Sequence, residues 1–316
     1  MLKKLLLSLI MLLPLTGLAA SDNAATVTVK AVKVGMHAYY VEGLPGAASA
    51  ANQGYMSNAG FVITPAGVVV FDSLGTVPLA EALIAQIRKL TPLPIKRVIV
   101  SHYHADHVYG LQAFKALGAE IWAHEGGKEY FASDEMERRL AQRREELFPW
   151  VDETTKVLPP DLWLSGDTDF ELGGITFAVR FVGPAHSPED LALFVQQDNV
   201  LYAGDLVFKG RVPYVGAADS KSWLASLDKL LAFNAKVMVP GHGGVSHNAQ
   251  KDLTLTRDYL MYLRKTMGKA VGELTSFDEA YARTSWKQFE KLPAFKEANR
   301  ANAYNTYILM EKESLK

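Results

Sequence analysis

Val98-Ile99-Val100-Ser101-His102-Tyr103-His104-Ala105-Asp106-His107 is the stretch that decides how the chain is read. Its first three residues are β-branched and apolar, the pattern of a buried strand. Four metal-capable side chains follow within six residues: His102, His104, Asp106 and His107. If the backbone is still extended where the strand ends, His102 and His104 point to the same side, because strand side chains alternate with period two. If the chain then turns into a helix, Asp106 and His107 are presented at its first turn. One short segment can therefore feed two adjacent metal positions.

Outward from this stretch the pattern is that of an α/β protein. Residues 58–64 and 67–71 read as a hairpin around Pro65-Ala66-Gly67, ending in Asp72-Ser73. Residues 78–90 read as a helix with Leu79, Leu83, Ile84, Ile87 and Leu90 on one face, broken by Thr91-Pro92-Leu93-Pro94. After the cluster, residues 108–117 read as a helix capped by Gly118 and residues 120–123 as a strand. Residues 127–148 alternate both charge signs at helical spacing, which predicts a solvated helix, with a lid or partner-binding role as the alternative. Strands are expected at 167–170, 175–181, 191–195, 200–203 and 236–239, a helix at 222–233, and mainly helices from 247 to 316. Near the start, residues 21–30 read as a mobile leader. Residues 27–30 and 32–41 read as edge strands, and 43–54 as a loop of small residues of the kind that covers a site.

An internal echo supports this parse. Both Asp72–His102 and Asp205–His242 run from a strand-ending Asp through loop, helix and strand to a His, at intervals of 30 and 37 residues. Two βαβ-like halves with polar residues at matching strand ends imply a duplicated architecture. Ligands of such sheets bind beyond the carboxyl ends of the strands, where His102, Asp205 and His242 all fall.

The chain opens with Lys3-Lys4, an apolar run over 5–13 and small residues through Ala19-Ala20-Ser21. That is the layout of a cleavable signal peptide over 1–20, and the apolar run is too short to span a bilayer as a helix. The expectation is a periplasmic or secreted protein with no stable membrane insertion. With 33 basic and 34 acidic residues, nothing favours nucleic acid as a partner. Cysteine is absent, so a metal site must use imidazole and carboxylate rather than thiolate.

Three further residues have metal-ligand chemistry at strand ends: His186 in Gly183-Pro184-Ala185-His186-Ser187, Asp205 after Gly204, and His242 between two glycines after Pro240. The run His102-x-His104-x-Asp106-His107, followed in order by His186, Asp205 and His242, resembles the metallo-β-lactamase superfamily. The match spans about residues 55–245. The resemblance implies an αββα sandwich with C-terminal helices. It places a metallo-β-lactamase domain over 21–250 and a helical extension over 251–316. It further implies a binuclear zinc site, two Zn2+ per chain. By resemblance, His102, His104 and His186 bind the first ion, Asp106, His107 and His242 the second, and Asp205 bridges them. Asp72 matches a group that orients a ligand from behind; a turn-capping role at the strand end is the alternative.

The implied enzyme is a metal-dependent hydrolase in which a hydroxide between the ions attacks a carbonyl of a small molecule, a thioester, lactone, ester or β-lactam, with Asp106 as the catalytic carboxylate. Asp205 stands where one lactamase subclass has Cys, which makes the set similar to glyoxalase II (hydroxyacylglutathione hydrolase-like) enzymes. His104 stands where flavodiiron oxidoreductases have Glu. With the signal peptide, the pattern looks most like the periplasmic SoxH-like hydrolases, also called quinoprotein relay system zinc metallohydrolases. The alternatives are a mononuclear iron oxidoreductase acting on a sulfur compound, or a non-catalytic accessory protein with a periplasmic redox partner. Lys209 and Arg211 are candidates to clamp a substrate carboxylate, and Tyr55, Met56, Trp150, Tyr214 and Trp223 candidates to line a pocket, with Trp223 as readily a core residue. His37, His124 and His247 have no metal-like context.

Overall fold

The computed structural model describes residues 24–315, so the segment read as a signal peptide lies outside the described residues. Strands β1 (Ala31–Lys33), β2 (Ala38–Val41), β3 (Ala59–Thr64) and β4 (Gly67–Phe71) lead into helix α1 (Val77–Leu90). Then come β5 (Ile95–Ile99), α2 (Ala105–Val108), α3 (Leu111–Ala116), β6 (Glu120–His124), α4 (Lys128–Ala132), α5 (Glu135–Leu147) and β7 (Leu162–Leu164). These strands form one sheet in chain order, antiparallel from β1 to β4 and parallel from β4 to β7. The second half holds β8 (Thr168–Leu172), β9 (Ile175–Phe181), β10 (Leu191–Val195), β11 (Val200–Tyr202), α6 (Ser220–Ala232) and β12 (Val237–Val239). Its sheet order is β12-β11-β10-β9-β8, with only β11 and β12 parallel. Helices α7 (Ala249–Asp252), α8 (Thr254–Gly272), α9 (Phe277–Arg283) and α10 (Phe295–Ser314) follow.

The layering follows from period-two patterning on strands buried on both faces. In β4, Val69 and Phe71 enter the core between the sheets, while Val68 and Val70 pack outward against Leu79, Leu83 and Ile87 of α1. In β11, Val200 and Tyr202 face between the sheets, and Leu201 packs outward with Trp223 and Leu227 of α6 and Leu260 of α8. The result is helix, sheet, sheet, helix, as the resemblance implies. Each fully buried large apolar side chain stabilises this arrangement by about 1.5–3 kcal/mol. The echo is real in space: β4-α1-β5 and β11-α6-β12 each join parallel neighbours through one helix.

Local rules explain the helix starts. The Thr76 side chain accepts from Leu79 N, and Pro78 sits in the first turn of α1. Asp219 caps α6 by accepting from Lys221 N at 3.1 Å and Ser222 N at 3.0 Å. Burial resists the charge on Asp219, but these bonds and the Ser222 hydroxyl outweigh it and lower its pKa. A depressed carboxylate stabilises the fold above its unfolded pKa and loses that contribution as pH falls through the folded pKa. Asp219→Ala is therefore expected to cost about 1 kcal/mol at neutral pH. In urea titrations that difference should shrink below pH ~3.9, the ordinary Asp value.

Several expectations need correction. The helix expected over 108–117 is two short ones, α2 and α3, broken at Tyr109-Gly110. The break lets the chain pass close to Ser73, whose carbonyl lies where a side chain on Gly110 would begin. Residues 32–41 are not one strand but β1 and β2 joined by a turn. The described part of the leader, residues 24–30, is anchored: Val29 is buried and Gln53 Oε1 accepts from Thr26 N. Leu90 is 47% exposed, off the buried face of α1. Strand β7, which follows Pro159-Pro160 and leaves Leu162 exposed, is not expected from the sequence.

Candidate metal centre

Both geometries considered for the central stretch occur in succession. Beyond β5 the chain bends at Ser101 and is extended at His104, which has φ −83° and ψ 147° and precedes α2; Asp106 and His107 then sit in the first turn of α2. His186 lies on the loop after β9, Asp205 in a short 3-10 turn after β11, and His242 just past β12. Sheet closure brings all seven residues together beyond the carboxyl ends of β5, β11 and β12.

Two groups of donors result. His102, His104, His186 and Asp205 each offer an atom within 4.8 Å of the others, and so do Asp106, His107, Asp205 and His242. In the first group His104 Nδ1 lies 3.0 Å from His102 Nε2 and 2.8 Å from His186 Nε2, and Asp205 Oδ2 lies 3.4 Å from His186 Nε2. In the second, His107 Nε2 is 3.1 Å from Asp205 Oδ1 and 3.5 Å from Asp106 Oδ2, and His242 Nε2 is 3.2 Å from Asp205 Oδ2. Ligand atoms at about 2.0–2.2 Å from a tetrahedral zinc ion stand about 3.4 Å apart, so both groups have the right span. Asp205 belongs to both.

The donor set also fits a cation by what it leaves unsatisfied. Asp205 Oδ1, Asp106 Oδ2 and His107 Nε2 are buried and make no hydrogen bond, although their neighbours are close. Short but misaligned approaches are what lone pairs show when they converge on a common centre. The outer partners explain why lone pairs face inward. Ser101 Oγ donates to Asp72 Oδ2 at 2.8 Å, so it accepts from His102 Nδ1 at 2.9 Å and leaves His102 Nε2 free. His107 Nδ1 donates to Asp72 Oδ2 at 2.8 Å, and His242 Nδ1 to the Met56 carbonyl at 2.7 Å. Asp72, left open between two roles, thus holds the inward face of two rings, one directly and one through Ser101, and also accepts from Ser101 N at 2.7 Å.

Electrostatics separate the two groups. Burial pushes His102 and His104 well below the ordinary imidazole value, and His186 down to about 4, so these rings are neutral donors at pH 7. Burial also opposes the charges on Asp106 and Asp205, yet His107 and His242 outweigh it and hold both carboxyls low. Burial works against a charged His107 too, but Asp205, Asp106 and Asp72 around it raise its pKa well above normal. A positive charge belongs among these carboxylates, and a divalent cation supplies it as well as a proton does.

The glycines beside His242 have a mechanical role. A side chain on Gly241 would collide with Asp205 Oδ1 and stand 2.6 Å from the Gly204 carbonyl carbon; Gly243 sits at φ +87°. Asn58 ties the same loop down. Its Nδ2 donates to the carbonyls of Pro240 and Gly243, both at 2.8 Å, and its backbone N–H to Gly241 O. Sequence reading missed Asn58 and Ser101 as parts of the site, because an isolated Asn or Ser near a strand carries no spacing signal.

A cavity of about 650 Å3 opens onto His104, Asp106, Asp205 and His242. Ala47, Ala48, Ser49 and Ala50 of the small-residue loop form part of its wall, as expected for a covering loop. The 127–148 segment is not only a solvated helix: Arg138, Arg139 and Arg143 of α5 line the cavity. Arg211 also lines it and is 5% exposed; its Nη1 donates to Gly46 O at 2.7 Å, and no carboxylate pairs with it among the described residues. Lys209 is a correction to the clamp. Its ammonium is tied to Asp252 at 2.9 Å and Val245 O at 2.8 Å, off the cavity wall. Of the aromatic candidates only Tyr214 lines the cavity, with Met56. Tyr55 and Trp223 are core residues, and Trp150 donates to Ala50 O. His37 pairs with Asp198 and His124 stacks on Phe181, both away from the centre.

The sequence profile of the metallo-beta-lactamase superfamily matches residues 52–242, a span that holds all seven donors. A linear primary-alkylsulfatase of Pseudomonas sp. (strain ATCC 19151) is 27% identical over 238 residues, covering 63% of this chain and 44% of its own, so the chain spans less than half that relative's length. Metallo-beta-lactamase IND-1 of Chryseobacterium indologenes is 24% identical over 216 residues, 67% of this chain and 80% of that one. Among solved structures, a metallo-beta-lactamase from Pontibacter korlensis superposes with a TM-score of 0.56 at 23% identity, over 74% of this chain and 99% of that one. The profile match, the ordered donors and the two-sheet fold agree: the chain belongs to the metallo-beta-lactamase superfamily.

Proposed function

We propose that the protein is a binuclear zinc-dependent hydrolase acting on a small molecule with a thioester, lactone, ester or β-lactam bond. The observation that carries the reading is Asp205, one carboxylate held between two groups of imidazole and carboxylate donors. His102, His104 and His186 with Asp205 hold one ion; Asp106, His107 and His242 with Asp205 hold the other. Imidazole and carboxylate donors in fours suit zinc. Bound ions supply an acidified water and a Lewis acid for the scissile carbonyl. The Asp106 carboxylate lines the cavity and is placed to take the proton of the attacking water. Hydrolysis then leaves the water's OH on the carbonyl carbon and its proton on the departing oxygen, sulfur or nitrogen. The guanidinium of Arg211, which pairs with no carboxylate among the described residues, orients an anionic group on the substrate. Export to the periplasm or beyond is part of the same proposal and rests on residues 1–20.

The similarity to the alkylsulfatase, together with Arg211, favours sulfate-ester hydrolysis as the second reading. Elemental analysis of the purified protein with a panel of thioester, lactone, β-lactam and alkyl sulfate substrates tests both. The expected result is about two zinc ions per chain and turnover of one carbonyl class. Turnover of the alkyl sulfate alone selects the second reading. One iron per chain, with oxygen consumed on a sulfur compound, overturns both.

A further inference from the structure

A second cavity, of about 480 Å3, meets the first at the metal centre. The two share four lining residues: His104, Glu135, Arg139 and Tyr214. The second also touches His186, so it reaches the first donor group from the other side. Arg139 of α5 is held by Glu135 at 2.9 Å. Tyr214 is 41% exposed, with its ring centroid 5.9 Å from that of His104 and 6.4 Å from that of His186. The partition between the chambers is thus an arginine and a tyrosine standing over the candidate ligands.

The chambers differ in character. The first is lined by four arginines, Arg138, Arg139, Arg143 and Arg211, against Glu135, Glu146 and Glu297, with Asp106 and Asp205 on the donor side. Beyond the shared Arg139 and Glu135, the second has Glu129, Glu189 and Asp219 as its charged groups. With those two aspartates neutralised by bound cations, four arginines face three glutamates in the first chamber, whereas the second holds one arginine against four carboxylates, so an anionic group is favoured in the first and opposed in the second. Much of the remaining wall of the second chamber is aromatic or apolar, with Tyr103, Tyr130, Tyr214, Pro184, Pro188 and Ala185, beside the hydroxyls of Ser133 and Ser187. Tyr103 and Tyr130 lie with ring centroids 6.2 Å apart at 30°, in contact with each other, so they form one aromatic stretch of the wall. Such walls hold a neutral ring by area burial and offset stacking.

Building on the hydrolase reading, we propose that the second chamber binds a neutral aromatic or cyclic arm of the substrate. The substrate is then two-armed: its anionic end docks at Arg211 in the first chamber, its scissile bond lies over the donors shared by the chambers, and its ring passes under Tyr214. Tyr214 is the specificity-determining residue for the ring, and Arg211 for the anion.

The test uses the zinc-loaded full chain and glutaric acid monoamides as non-hydrolysed ligands, titrated calorimetrically. Each carries the same carboxylate and amide carbonyl and differs only in its arm: N-benzyl, N-methyl, N-(2-trimethylammonioethyl) or N-(2-sulfoethyl). The N-benzyl amide is expected to bind at least about tenfold tighter than the N-methyl amide and tighter than both charged arms. Tyr214→Ala should collapse the benzyl-to-methyl ratio toward one, while Arg211→Gln should weaken both amides and keep the ratio. Equal binding of benzyl and methyl, preference for either charged arm, an unchanged ratio in Tyr214→Ala, or no binding of any amide at millimolar concentration overturns the proposal. Because the readout is binding, the hydrolase reading fails separately: no turnover on the substrate panel, with this order of affinities kept, removes the reaction but leaves the chamber.

Discussion

Asp205→Ala is expected to remove both metal ions, not one. Asp205 Oδ2 approaches His186 and His242, and Oδ1 approaches His107, so a single carboxylate completes both donor groups. The expected metal content falls from about two zinc ions per chain to well under one, and kcat/KM falls by more than about 10³-fold, beyond the ~10–100-fold loss of an outer partner. His186→Ala, which strips one donor from the first group only, should keep more metal than Asp205→Ala. Metal analysis after equilibrium dialysis, alongside kcat/KM on the best panel substrate, measures both. The stability readout is separate. Zinc bound only to the folded state raises stability by mass action, so wild type and Asp205→Ala should differ in thermal unfolding with zinc present. With a chelator the difference should narrow or reverse, because the variant loses a buried carboxylate whose desolvation is no longer offset by a cation. Retention of two zinc ions by the variant would refute the bridging assignment.

Asp72→Asn is the second large effect, and it arises without touching a ligand. Asp72 has φ +63°, a left-handed conformation that Asn tolerates as well as Asp, so the backbone turn survives. The chemistry does not survive. Asp72 Oδ2 accepts from both the Ser101 hydroxyl and His107 Nδ1. An amide placed with its carbonyl toward Ser101 N presents –NH2 to those two donors. His107 then relieves the clash by moving its proton to Nε2, which removes the lone pair from the second group, and Ser101 can no longer fix His102. The expected loss is about 10–100-fold in zinc affinity and activity, largest at the second group. Zinc titration of the apoprotein with a chromophoric chelator reads the affinity, and unchanged circular dichroism separates this effect from misfolding. Equal affinity in wild type and Asp72→Asn would return Asp72 to the role of a turn residue.

Much of the site was legible because ligand chemistry is concentrated in few residue types and because a strand end is a local event. Val98-Ile99-Val100 announces a buried strand, and period two then pairs His102 with His104 before any contact is known. Asp72 and Asp205, each at the end of an apolar run and each followed by a helix and another strand, reveal the duplicated halves. The charged face of α5 was harder. Alternating charges fit a solvated helix, and they do form ion pairs such as Arg139 with Glu135, yet the same face closes a cavity that exists only once the 43–54 loop packs opposite.

Periodicity and residue chemistry by themselves determined most of the strands from β3 onward, though not β7, the alternation that makes both sheets two-faced, and the seven candidate donors in order. They act over a few residues and need no knowledge of distant neighbours. What the tertiary structure alone decided is everything set by closure of one sheet on the other. It made Asp205 common to both groups, sent Lys209 to Asp252 rather than to substrate, buried Trp223 and Tyr55 in the core, and recruited Asn58 to clamp the His242 loop. Those outcomes depend on where side chains distant in the chain come to rest, 43 residues apart for Lys209 and Asp252 and 182 for Asn58 and Pro240, and no local pattern encodes a distance across two packed sheets.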